Sequence, residues 1–150
     1  MKQLRKIQQQ HQAEIDEVIN RLLSECKVEY NNEGVRGFVA DTHRGFAHYD
    51  GQFTVPQWAY DKQHLSQQDF EKKHCVHAGW NKVKAYKKEG YFIYYVAHEL
   101  AHQLRYIKYN KGGGHDFRFY EIFMDICPKD YQHHELNYKK TASKYGIKYQ

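Results

Sequence analysis

A chain of 150 residues, 41% hydrophobic and 16% aromatic, is long enough for one domain with its own core, and its 14 tyrosines predict an aromatic-rich one. No window of about 18 apolar residues occurs, so no membrane span is expected. The formal charge of +5 and a pI near 9.0 are compatible with an anionic partner such as nucleic acid, but charge alone carries no information about fold.

The start of the chain, Met1-Lys2-Gln3-Leu4-Arg5-Lys6, runs into glutamines rather than an apolar signal segment. Leu4, Ile7, His11, Ile15, Val18, Leu22 and Cys26 then recur at helical spacing, with Ile19 and Leu23 widening the stripe. This predicts an amphipathic helix over most of residues 1–27, ended by Asn31-Asn32-Glu33-Gly34. Short strand-like segments follow at 35–40, 46–49 and 52–55, separated by 41–45 and by Asp50-Gly51, a two-residue hairpin signal. Pro56 ends the last of them or places it at an edge. His43 and His48 lack ligand spacing and are read as turn or strand-face residues.

Ser66-Gln67-Gln68-Asp69 reads as a capping box opening a helix toward His77. His74, Cys75 and His77 do not share one helix face, which favours a structural reading over a ligand set. The lysines interleaved over 81–88 suit a solvated face. Cys26, Cys75 and Cys127 are too widely spaced for a disulfide framework or a metal knuckle, and reduced thiols in a cytoplasmic protein are expected.

The chemistry is concentrated in Tyr95-Val96-Ala97-His98-Glu99-Leu100-Ala101-His102. His98 and His102 stand one helical turn apart, so two imidazoles reach one ion while Glu99, beside them, can take a proton from a water there. Ile93, Val96, Ala97, Leu100, Leu104 and Ile107 make the apolar stripe of that helix, and the histidines point away from it. Two core histidines would sit inside the stripe. A catalytic zinc wants a third protein ligand and an open position. After Asn110-Lys111-Gly112-Gly113-Gly114 breaks the helix, His115 opens a second one and is the first choice for that ligand. Glu121 is the runner-up, and Asp116 reads as an N-terminal helix acid favoured by the dipole. His133 and His134, beyond Pro128, are candidates for contacts around the metal or to a developing oxyanion. A last helix is expected over 131–143, followed by a basic tail.

The stretch from His98-Glu99-Leu100-Ala101-His102 through Gly114-His115-Asp116-Phe117-Arg118-Phe119 to Ile126-Cys127-Pro128-Lys129-Asp130-Tyr131-Gln132-His133-His134-Glu135 resembles the SprT-like zinc metalloproteases, which include Spartan. The resemblance covers about residues 91–136 and is loose upstream. It implies Zn²⁺ held by His98, His102 and His115, Glu99 as general base, and protein substrates, among them proteins associated with DNA. Two departures stand out. The family usually has glycine where this chain has Asp116, and many members carry a cysteine-rich zinc ribbon for which these residues show no pattern.

The expected fold is α+β, a single minimal zincin-like domain: a first helix, a small antiparallel sheet at about 35–56, the metal-binding core, and a basic C-terminal tail. The expected activity is zinc-dependent peptide-bond hydrolysis. The alternative is a non-catalytic basic module that associates with nucleic acid and holds a structural or vestigial zinc. A hydrolase acting on a non-peptide bond is a third reading.

Overall fold

The computed structural model describes residues 6–42, 44–48, 50–70, 88–110 and 114–135. In chain order these form α1 (Lys6–Glu25), β1 (Arg36–Ala40), β2 (Phe46–His48), β3 (Gln52–Pro56), α2 (Gln57–Lys62), α3 (Gln67–Phe70), α4 (Gly90–Tyr109) and α5 (Phe117–Ile126), and the described chain closes in a 3-10 segment, Lys129–His134. The architecture is α+β.

The expected first helix is α1. Its stripe of Ile15, Val18, Ile19 and Leu22 is buried against β1 and α4. Gln12 also lies inward, where its amide donates to the Gly37 carbonyl at 2.9 Å. Gly37 also lets Phe53 and Ile15 pack close to β1: a Cβ there would fall 2.5 Å from Phe53 and 2.9 Å from Ile15. On β3, Phe53 and Val55 are fully buried, as strand alternation requires.

The sheet departs from the antiparallel expectation. Its order is β1-β3-β2; β2 and β3 pair antiparallel, whereas β1 and β3 run parallel, with Gly37 opposite Phe53. The β2–β3 hairpin forms around Asp50-Gly51, but His48 pairs with Gln52, so the connection is three residues rather than the expected two; Gly51 has φ +98°, and a Cβ there would press on the Gly34 carbonyl. β1 and β2 do not pair with each other; β3 lies between them, leaving β2 as an outer strand among the described residues. Pro56 ends the central strand and leads directly into α2, a helix the sequence pattern did not signal.

The metal-motif helix, α4, is the hub, packed against the sheet, α1, α2, α5 and the closing segment. Ile93, Val96, Ala97, Leu100 and Leu104 face the core as predicted, joined by Phe92, whereas Ile107 of the expected stripe is only half-buried. Gln103 is also buried and ties the helix to the hairpin, donating to the carbonyls of Gln52 (2.8 Å) and His48 (3.1 Å). Asn110, in the left-handed conformation at φ 52°, stops the helix. The amphipathic helix α5 then buries Phe119, Tyr120, Ile122, Phe123 and Ile126; a phenylalanine side chain so buried contributes about 2–3 kcal/mol.

Of the expected helix over 131–143, the described portion is 3-10 rather than α. Ser66 accepts from the Asp69 amide at 3.1 Å and starts α3 as its capping pattern predicts. His43, the stretch 71–87 (with His74, Cys75 and His77) and the basic tail lie outside the described residues, as do the side chains of His133 and His134. Cys26 and Cys127 are unpaired thiols. No helix among the described residues is long and apolar enough to cross a membrane.

Candidate metal centre

Three imidazoles converge between α4 and α5. His98 Nε2 and His102 Nε2 each lie 3.1 Å from His115 Nε2, and one ligand atom from each residue falls within 4.8 Å of the others. Tetrahedral zinc with Zn–N bonds of about 2.05 Å separates its nitrogens by about 3.3 Å, so the two separations from His115 fit. The donor chemistry fits as well. Three nitrogens this close cannot all carry protons, and a cation satisfies three lone pairs at once. His98, His102 and His115 are therefore a set that could hold a metal ion.

The local fold explains the convergence. One turn of α4 stacks His98 over His102, with ring centroids 5.1 Å apart. Their far face is covered by α5, so His98 is buried although it points away from the apolar stripe. Phe119 packs 5.0 Å from the His98 ring and 4.4 Å from the His102 ring. His115 is set by Asp116, which is the N-cap of α5: its Oδ1 accepts from the amides of Arg118 and Phe119, both at 3.1 Å. The same carboxylate takes both Nε (3.1 Å) and Nη2 (2.6 Å) of buried Arg105. The Arg105 guanidinium and the helix amides hold Asp116 down at about 2. The residue that departs from the glycine of the resemblance thus clamps the two helices at their corner.

Glu121 is not part of the cluster. It is exposed on α5 and accepts from the Tyr109 hydroxyl at 3.3 Å. His48, on exposed β2, is not part of it either.

Glu99 lies beside the three imidazoles without joining them, its Oε1 3.9 Å from His98 Nε2. Burial raises its pKa to about 7, against the lowering influence of His98 and Arg44 and with the charge of Glu135 adding to the rise. It is only 5% exposed, yet it lines a cleft of about 310 Å³ with His98, His102, His115, Tyr94 and Tyr95. The opposite wall is Arg44, Gly45, Phe46 and Ala47, the approach to and start of β2. Gly45 is required there: a Cβ would sit 2.9 Å from both Cγ and Oε1 of Glu99. Burial, then the neighbouring imidazoles, pulls His102 down to about 3, and burial also lowers His115, so these rings stay neutral as ligands must.

Sequence reasoning missed Glu135. Its Oε2 is 2.8 Å from His98 Nδ1 and accepts from the Tyr94 hydroxyl at 2.5 Å. Burial pushes the Glu135 pKa up, but the His98 and Tyr94 contacts outweigh it and the net shift is downward. Arg105 and Gly45 were missed too, since nothing in their local sequence marks them. Comparison with family models, with curated proteins and with solved structures yields no match.

Proposed function

We propose that the chain is a zinc-dependent metalloendopeptidase. The observation that carries this reading is the placement of a buried carboxyl, Glu99, in the same open cleft as three convergent imidazoles. A purely structural zinc site closes its fourth position and has no use for such a carboxyl. His98, His102 and His115 would hold the ion, which when bound supplies Lewis acidity toward a water and a carbonyl oxygen.

The chain's own residues do the rest. A carboxyl near pKa 7 is matched to proton transfer at neutral pH, so Glu99 takes the proton of the attacking water and returns it to the leaving amine. Among the described residues β2 pairs only with β3, and it forms a wall of the cleft, so its outer edge can add an extended peptide as a further strand. Backbone hydrogen bonds along that edge would hold the scissile bond over Glu99. Tyr95, also in the cleft, has its pKa raised by burial and by the charge of Glu99, so it stays a hydroxyl donor. The SprT-like resemblance of residues 91–136 points to protein substrates, including proteins associated with DNA.

Glu99→Gln tests the assignment. The variant should bind zinc as the wild type does and lose turnover of a protein substrate by roughly 100-fold or more. Full activity in that variant would remove Glu99 as the base.

A further inference from the structure

Glu135 is a buried carboxylate without a full cationic partner among the described residues. Its contacts among the described residues are His98 Nδ1 (2.8 Å), the Tyr94 hydroxyl (2.5 Å) and the Tyr120 hydroxyl (3.4 Å). No lysine or arginine among those residues pairs with it. Two phenols and an imidazole supply hydrogen bonds, but a carboxylate withdrawn from water also calls for positive charge. One ring away, His98 Nε2 faces the other two imidazoles. A single side chain therefore stands between a buried anion and the place where a divalent cation fits.

The geometry also fixes the tautomer. When His98 donates its Nδ1 proton to Oε2, its Nε2 is left as a lone pair aimed at His115, which is the form a metal ligand needs. Glu135 directly follows the closing segment Lys129–His134, which is anchored at two other points. Gln132 donates to the carbonyls of Met124 (3.2 Å) and Cys127 (3.0 Å), and the Tyr131 hydroxyl donates to Glu89 at 2.9 Å.

Resting on the three-histidine site, we propose that Glu135 is a positioning residue for the metal: its buried carboxylate orients His98 and supplies counter-charge through it, so that metal binding and docking of the closing segment stabilise each other. Such coupling is reciprocal by necessity. The ion should tighten the segment, and loss of the carboxylate should weaken the ion.

The test uses the full chain, zinc alone as the ligand, and two variants. Glu135→Gln keeps the size and an acceptor for His98 but removes the charge; Glu135→Asp keeps the charge on a shorter stem. Zinc dissociation constants come from competition with a chromophoric chelator, and the stability of the metal-free proteins from urea unfolding. Glu135→Gln should weaken zinc about tenfold or more, with Glu135→Asp in between, as for other groups behind a metal-ligating histidine. The metal-free Gln variant should lose some stability, because the His98, Tyr94 and Tyr120 contacts favour the ionised carboxylate, so the zinc constants carry the test. Amide exchange over 129–135 should slow on adding zinc to the wild type and slow less in Glu135→Gln.

A merely structural Glu135 gives a different pattern, in which metal-free stability falls but zinc affinity stays within twofold of wild type. That result would overturn the proposal. If Glu135→Gln fails to fold, unchanged zinc affinity in Glu135→Asp would overturn it equally. Wild-type protein that takes up no zinc would overturn the three-histidine site itself, and this inference with it.

Discussion

The corner between α4 and α5 offers a quantitative test, because Asp116 has two separable tasks. It caps α5 and it pairs with Arg105, whose side chain is 4% exposed while that of Asp116 is 37% exposed. Losing an N-cap costs about 1 kcal/mol. Removing one partner of a fully buried ion pair costs about 3–5 kcal/mol, but the solvent exposure of Asp116 screens this one, leaving about 1–2 kcal/mol. Asp116→Ala, which loses both, should therefore destabilise the metal-free protein by about 2–3 kcal/mol. Asp116→Asn keeps a good cap and loses only the charge, so it should cost about 1–2 kcal/mol. Urea unfolding at neutral pH with an unchanged m-value measures both. Zinc affinity should fall in the same order, since His115 is the neighbouring residue. A loss below about 0.5 kcal/mol in Asp116→Ala, or an Asn variant as damaged as the Ala one, would refute the clamp.

Two further outcomes follow from the same geometry. Gly45→Ala places a methyl 2.9 Å from Glu99 and should displace that carboxyl, lowering kcat by roughly 100-fold while zinc content stays at the wild-type level; near-normal kcat would contradict this. The stability of the metal-free protein should depend on pH through opposing groups. His102, lowered to about 3 chiefly by burial, and His115, also lowered, contribute stability that is complete above about 6.5 and is lost as pH falls. Glu99, raised to about 7, contributes stability that is complete below 4.5 and is lost as pH rises through 7. The carboxyl partly offsets the imidazoles between 6.5 and 4.5, and below 4.5 only losses remain, with Asp116 adding its own below 3.8. Urea midpoints should thus decline gently to pH 4.5 and steeply below it; a midpoint that rises between pH 4.5 and 3.5 would contradict the assigned shifts.

What was legible in the sequence was what local periodicity controls. His98, Glu99 and His102 are one turn of one helix, so their common face followed from spacing and the apolar stripe. His115 followed from the break in the helical pattern after Tyr109 and from its place just before α5. Asp50-Gly51 marked the place of its hairpin, though not its three-residue length. The parallel β1–β3 pairing was not legible, because a strand's direction relative to a non-adjacent partner is decided by tertiary packing, and Gly37 against Phe53 and Ile15 is visible only once assembled. Glu135 was hidden for the same reason: it meets His98 across 37 residues, and the neighbouring His133 and His134 were the more conspicuous side chains. Asp116 was noticed as a helix acid, but its buried partner Arg105 carried no local signal.

The central claim is a zinc site built by His98, His102 and His115, and metal analysis of the purified full chain beside His115→Ala tests it most directly. The account predicts about one zinc per wild-type chain, with retention markedly weakened in the variant. Wild-type protein that carries no zinc and takes none up on titration would contradict it.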